Sequence, residues 1–481
     1  MGAFNIEDMV LIKINRSFKE NMTPEQLYRA TSYSWVASFK KTETRDIKYY
    51  CAVYQNKIIE VYDFLGYEEE IPRREPSRYI LHGQLSSEDI RRTLIGLDVS
   101  DLHKGSGNPI KYTSLERLLN LESLGAQKNE KVRKDIEQNE LISHIRNYIT
   151  SKGFTYLKKD IKNLYLSLRS KPFVIISGIS GTGKTKIVQL FAEAIGATEE
   201  NKQFKLIPVR PDWSDSSELL GYTDIKGDFI KGPLIEIVEQ AHLNPELPHF
   251  VLLDEMNLAR VEYYFSDVLS VMESRKKVEG EITSSTLITV DGDSLTLPGN
   301  LYIIGTVNMD ETTHPFSKKV LDRANTIEFH EIDLMNFGSM TRREIVEPIH
   351  VSNKVLESSF IHLIDAFSTH EQLIREVSER LEAINELLEP IHAQVGYRVR
   401  DEISFYLAHN VEAGQLLSLN DAMDFCIMQK ILPRVGGMEA VVRDVLNNLK
   451  EELSSYPRCT KKIKEMLGRL DKDGFTSFWI S

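Results

Sequence analysis

Eight residues constrain this chain more than any other segment: Gly178-Ile179-Ser180-Gly181-Thr182-Gly183-Lys184-Thr185. They match G-x-x-x-x-G-K-[ST], with the apolar run Phe173 to Ser177 before them and the helix-prone stretch KTKIVQLFAEAIG after them. That context turns a glycine-rich string into a strand–loop–helix unit built for phosphate. Gly178, Gly181 and Gly183 let backbone N–H groups turn inward, and the helix start adds its positive dipole end. Lys184 supplies a point charge for the β- and γ-phosphates, and the Thr185 hydroxyl suits Mg²⁺. A nucleoside triphosphate with Mg²⁺ is therefore the expected ligand.

Two further apolar runs end in polar residues of the right kind. Val251-Leu252-Leu253 leads into Asp254 and Glu255. Asp254 is expected to hold Mg²⁺ alongside Thr185, and Glu255 to polarise the attacking water. The run Leu301 to Thr306 leads through Val307 to Asn308, placed to reach the γ-phosphate and that water. Strand-like and helix-like pieces alternate over residues 151–330, which predicts an α/β core with a mostly parallel sheet.

The flanks read differently. Residues 1–120 predict a mixed α/β domain: Thr23-Pro24 opens a helix, KYYCAVYQNKIIEVYDF forms a hairpin broken at Gln55-Asn56, Tyr79 to Leu81 is a short strand, and Ser87 caps a helix. Residues 121–150 predict a polar linker helix. Residues 331–481 predict a helical region, with an apolar stripe Leu373, Ile374, Val377, Leu381, Ile384, Leu388 and Ile391 between His370 and Gln394.

Bulk properties exclude several classes. A formal charge of −12 over 481 residues argues against a protein that coats nucleic acid non-specifically, though not against a local DNA-reading surface. Cys51, Cys426 and Cys459 form no C-x-x-C pair, so neither a disulfide framework nor a zinc site is expected. The start MGAFNIEDMV lacks a basic stretch followed by an apolar core, and no run of 18 apolar residues occurs. A cytoplasmic protein is expected.

From about residue 150 onward the chain resembles the McrB branch of AAA+ proteins, within the MoxR and dynein-related group. KPFVIISGISGTGKT, VRPDWSDSSELLGYTD, FVLLDEMNLARVEYYFSDVLSVMESR, LYIIGTVNMDETTHPFSKKVLDRAN, ILPRVGG and the terminal GFTSFW carry the resemblance. It implies an AAA+ P-loop core with a helical lid. It also implies a hexameric NTPase working as the motor of modification-dependent restriction, with an McrC-like nuclease subunit in trans. Asn308 takes the sensor-1 position. Arg323 is favoured as the arginine finger that enters a neighbouring subunit, against an ion pair with Asp322; Arg260 and Lys319 are the alternates. Arg398 fits sensor 2, with Arg400 a rival. The McrB type carries M-N-T-A-D-R-S after sensor 1, where this chain has Val307-Asn308-Met309-Asp310-Glu311-Thr312-Thr313, so ATP and GTP both stay open.

The N-terminal region resembles, more weakly, PUA- or EVE-like barrel modules that read modified or flipped bases, through LYRATSYSWVASF, the hairpin and RYILHGQ. Tyr33 and Trp35 are the pocket candidates, with an aromatic core as the competing reading. The one E-x-K, Glu200-Asn201-Lys202, reads as a solvated charge run, so the nuclease is expected on another chain.

Overall fold

The chain divides into two units, Met1–Lys131 and Val132–Ser481. The structure, a computed structural model, describes residues 7–15, 17–19, 22–36, 39, 45–70, 78–97, 99, 109–115, 118, 132–133, 136–278, 281–290, 293–308, 314–329 and 345–479. Met309 to Thr313, the departure from the McrB signature, lie outside the described residues, as do 121–131 and 134–135 of the expected linker.

The first unit contains β1 (Glu7–Lys13), α1 (Pro24–Ser32), β2 (Arg45–Tyr54), β3 (Lys57–Glu69), β4 (Tyr79–Leu85), α2 (Glu88–Leu94) and β5 (Ile110–Thr113). The strands form one sheet in the order β4-β3-β2-β1-β5. β1 and β2 are parallel and the other pairs antiparallel. Gln55 and Asn56 both take left-handed φ, 47° and 63°, which a two-residue hairpin turn matching strand twist requires. Thr23 and Gln26 exchange side chain–backbone bonds in a capping box that starts α1. Strand alternation splits the core into two layers, Met9, Leu11, Cys51 and Val53 on one face and Val10, Ile12, Tyr50 and Ala52 on the other.

The second unit begins with α3 (Gln138–Ser151) and α4 (Lys158–Ser170). Leu141, Ile142, Ile145, Tyr148 and Ile149 of α3 are buried in the main apolar cluster of this unit. Each such side chain contributes about 1.5–3 kcal/mol. This helix is therefore a packed part of the second unit. Next come β6 (Phe173–Gly178), α5 (Lys184–Ala194), β7 (Phe204–Pro208), α6 (Pro233–Leu243), β8 (His249–Asp254), α7 (Ser266–Glu273), β9 (Leu301–Asn308) and β10 (Asn325–Phe329). The five strands stand in the order β10-β6-β9-β8-β7, every pair parallel. Val174 and Ile176 face one apolar cluster while Phe173 and Ile175 face the other, so the sheet is covered on both sides.

Register decides what gathers at the carboxyl edge of this sheet. Asn308 pairs with Gly178, and Leu253 pairs with Gly305. The ends of β6, β8 and β9 therefore lie side by side. In open α/β sheets that edge is where ligands bind.

The lid comprises α8 (Leu363–Leu388), α9 (Tyr397–Glu412), α10 (Leu419–Lys430), α11 (Glu439–Glu452) and α12 (Pro457–Asp473). α8 is two helical pieces joined across a kink at His370, φ −130°: Asp365 caps the first by accepting from the Ile361 and His362 N–H groups, both at 2.9 Å, and the second begins at the kink, where the sequence placed the start. It ends at Leu388, before Pro390, and His392 takes a left-handed φ of 50°. Several contacts fasten this lid to the sheet. Glu402 pairs with both Lys171 and Lys430, Lys430 donates to the Ala324 carbonyl at 2.7 Å, and Arg434 pairs with Asp322.

Candidate functional site

The loop between β6 and α5 turns on glycines in conformations that other residues rarely adopt. Gly178 lies at φ 153°, and a side chain there would strike the Phe329 carbonyl. Gly183 lies at φ 84° as the residue before α5, and a Cβ would meet the Tyr156 hydroxyl at 2.6 Å. That hydroxyl donates to the Gly183 carbonyl at 2.9 Å and so pins the loop from behind. Ile179, Ser180 and Thr182 fill the exposed turn between the glycines, with Thr182 Oγ1 donating to the Ile179 carbonyl at 2.9 Å. Lys184, 5% exposed, donates from Nζ to the Gly178 and Ile179 carbonyls at 2.9 and 2.7 Å. Its ammonium is thus held inside the loop that would cradle a phosphate.

Five more side chains meet at the neighbouring strand ends. Thr185 Oγ1 donates to Asp254 Oδ1 at 2.7 Å. Asn308 Nδ2 donates to Glu255 Oε1 at 3.0 Å. Glu255 sits just past β8 in the left-handed region, φ 54° and ψ 48°, a conformation uncommon outside glycine and asparagine. Thr306 Oγ1 donates to Asp254 Oδ1 at 2.7 Å and accepts from the Glu255 N–H at 3.0 Å. Lys184, Thr185, Asp254, Glu255 and Asn308 come together on one edge, as the three apolar runs in the sequence suggested.

A hydroxyl and a carboxylate oxygen 2.7 Å apart beside a phosphate loop are hard oxygen donors of the sort Mg²⁺ takes, with phosphate and water completing its shell. Among the described residues no group of three or more His, Cys, Asp and Glu could hold a metal ion. Thr185 and Asp254 fit a site of two protein ligands completed by the nucleotide.

Arg323 and Arg398 lie elsewhere, on one shared carboxylate. Arg323 Nη2 and Arg398 Nη2 approach Glu273 Oε1 at 2.8 and 2.5 Å. Both line a cavity of about 330 Å³ together with Arg275, His362 and Glu402. Arg400 pairs with Asp401 at 2.7 Å, and the Arg260 guanidinium lies 5.7 Å from the Tyr263 ring centre. The Asp322 that competed for Arg323 is taken by Arg434.

In the first unit, Tyr33 is 45% exposed with the Arg29 guanidinium 5.8 Å from its ring centre. Trp35 is half-buried, donates from Nε1 to the Thr31 carbonyl at 2.7 Å, and pairs backbone to backbone with Tyr79. Both border an open cavity of about 870 Å³ that also has Lys19, Gln26 and Arg29 on its wall. Glu200-Asn201-Lys202 closes a turn after α5, where Asn201 Nδ2 donates to the Gly196 carbonyl at 2.6 Å.

Sequence reasoning passed over Thr306 and Glu273. A signal for Thr306 was present, since it stands two residues before Asn308 and so shares its strand face. Nothing near Glu273 marked it, because its two arginines come from positions 50 and 125 residues further along the chain.

Comparison with known proteins gives this geometry a family. Residues 173–324 match the AAA domain of the dynein-related subfamily, and residues 318–475 match a domain of unknown function, DUF8727. The chain is 26% identical over 176 residues to the type IV methyl-directed restriction enzyme EcoKMcrB subunit of Escherichia coli, covering 36% of this chain and 38% of that protein. It is 27% identical over 165 residues to the chaperone MoxR1 of Mycobacterium tuberculosis, covering 34% and 37%. The chain thus spans little more than a third of the length of these relatives. The second unit carries a dynein-related AAA domain, similar to McrB and MoxR proteins.

Proposed function

We propose that this chain is a Mg²⁺-dependent NTPase, using ATP or GTP, that works as the motor and DNA-recognition subunit of a McrBC-like modification-dependent restriction or anti-phage defence system. The observation that carries the NTPase reading is the meeting of Thr185, Asp254, Glu255 and Asn308 within hydrogen-bond distance beside Lys184. The restriction reading rests on the McrB similarity and on the first unit's aromatic and basic cavity.

Lys184 and the loop N–H groups bind the β- and γ-phosphates, while Thr185 and Asp254 hold Mg²⁺. Held there, Mg²⁺ would supply neutralising charge at the phosphate oxygens. Glu255, oriented by Asn308, accepts a hydrogen bond from the attacking water and aims it in line. Arg323 serves the nucleotide of an adjacent subunit in a ring, a hexamer on this reading, and Arg398 takes the sensor-2 place in the lid. A fork of N–H donors suits the equatorial oxygens of a transferring phosphoryl group. Residues 1–120 form the recognition domain, with Tyr33 and Trp35 against a modified base. Residues 121–150 lead into the core at 151–330, and 331–481 form the lid and C-terminal region. Cutting belongs to a separate McrC-like nuclease. The protein works in the cytoplasm, and no helix among the described residues is long and apolar enough to cross a membrane.

The test uses the purified full chain with Mg²⁺ and either ATP or GTP, with methylated and unmodified DNA. Phosphate release, preference for the modified duplex and no cleavage without a second protein are expected. Cleavage of methylated DNA by this chain alone would overturn the division of labour. A second reading draws on the comparable MoxR1 similarity: an ATPase that remodels a protein partner without reading DNA. Hydrolysis with no DNA binding at moderate salt would favour it.

A further inference from the structure

We propose that Thr306 is a positioning residue for hydrolysis, setting the metal-side carboxylate and the water-side glutamate with a single hydroxyl. The inference rests on the NTPase reading and adds a role that none of the motif residues fills.

Thr306 is 2% exposed, and its Oγ1 makes two bonds of opposite sense. It donates to Asp254 Oδ1 at 2.7 Å and accepts from the Glu255 N–H at 3.0 Å. The register explains why this residue can do so: Gly305 stands opposite Leu253, so Thr306 comes level with Asp254 at the strand end. β8 stops there and the chain turns sharply through Glu255, whose left-handed φ of 54° carries its N–H out of the ladder. Non-glycine residues in such conformations persist only where the surroundings over-determine them. Two side chains of β9 provide that constraint. Thr306 holds the Glu255 main chain, and Asn308, two residues along on the same strand face, holds its carboxylate at 3.0 Å. Asp254 Oδ1 meanwhile accepts from Thr185 as well as Thr306, which fixes the rotamer of the carboxylate.

The chemical consequence is specific. Without the hydroxyl, the Glu255 N–H loses its acceptor and Asp254 loses one of two restraints. The phosphate loop is untouched. Turnover and Mg²⁺ dependence should suffer while nucleotide affinity at saturating Mg²⁺ does not.

The experiment compares wild type, Thr306→Val and Thr306→Ser in the full chain. Valine keeps the shape and removes the oxygen; serine keeps the oxygen. Each is measured for steady-state hydrolysis, for binding of a fluorescent nucleotide as Mg²⁺ is titrated, and for thermal unfolding. Thr306→Val is expected to lose at least ten-fold in kcat, with KM within about two-fold, and to need several-fold more Mg²⁺ for half-maximal nucleotide binding. Thr306→Ser should recover most of both. Wild-type kcat and wild-type Mg²⁺ dependence in Thr306→Val would overturn the proposal. So would a Thr306→Ser as impaired as Thr306→Val when both melt like wild type. Failure of the wild type itself to hydrolyse any nucleotide would instead defeat the NTPase reading, and the Mg²⁺ titration would still judge Thr306 without turnover.

Discussion

Glu402→Gln should unseat the lid, and the size of the effect can be worked from its surroundings. Its side chain is 9% exposed, with one carboxylate oxygen on Lys171 and the other on Lys430, whose own side chain is 2% exposed. Burial opposes ionisation of Glu402, yet the two ammonium groups hold its carboxyl below the ordinary range. Burial pushes Lys171 down to about 8, against the pull of Glu402. The group is thus a charged triad in which one anion serves two cations. Glutamine keeps the shape and removes the charge, leaving two buried ammonium groups without an anion. Breaking a buried pair by removing one partner costs about 3–5 kcal/mol. That is a large share of the ~5–15 kcal/mol that separates folded from unfolded states. At about 2–4 °C per kcal/mol for a large domain, the melting temperature should fall by roughly 6–20 °C. Calorimetry at pH 7 on wild type, Glu402→Gln and the triple variant Glu402→Gln, Lys171→Met, Lys430→Met would measure it. The triple variant removes every charge and should recover most of the loss. A Glu402→Gln protein melting within about 2 °C of wild type would refute the reasoning, since a triad worth so little could not be the fastening described.

Further outcomes follow from the site. Lys184→Ala should abolish measurable nucleotide binding in a fluorescent-analogue titration, because the ammonium is the one buried cation inside the described loop; retained affinity would contradict that role. Glu255→Gln should keep nucleotide binding and lose about 10²–10⁴-fold in hydrolysis, read by phosphate release, with turnover near wild type as the contrary result. Arg323→Ala should bind nucleotide normally and lose about 10³-fold or more in hydrolysis; retained hydrolysis would move the trans role to Arg260 or Lys319. Burial pushes both His249 and His409 down to about 4. Their unfolded forms take up protons near 6.5, so the unfolded state binds more protons in this window and stability falls as pH drops. Denaturant melts at pH 7.5 and pH 5 should differ by about 2 kcal/mol for each histidine, and equal stabilities would refute this.

Local sequence went far in this protein because its strongest signals are local. A glycine needed at φ 84°, a lysine one residue later and a hydroxyl after that specify the phosphate loop within eight residues. The runs before Asp254 and Asn308 are mostly apolar strands because both sheet faces are covered, and that burial is visible in composition alone. The hairpin turn at Gln55-Asn56 and the cap at Thr23 are legible for the same reason. The helix from Leu363 was harder: the stripe after the His370 kink showed, but the short piece before it depended on an Asp365 cap and the stop on Pro390.

What sequence could not supply is which strand stands beside which, and so which ends share an edge. Parallel register alone sets Thr306 level with Asp254, and Asn308 against Gly178. The joining of Arg323 and Arg398 on Glu273, and of Lys171 and Lys430 on Glu402, likewise exists only once the lid has closed on the sheet. The chain encodes each group by short-range rules of periodicity, turn geometry and residue chemistry. The pairing of groups far apart in sequence follows from packing, because a charge selects its partner by distance in space and not by position along the backbone.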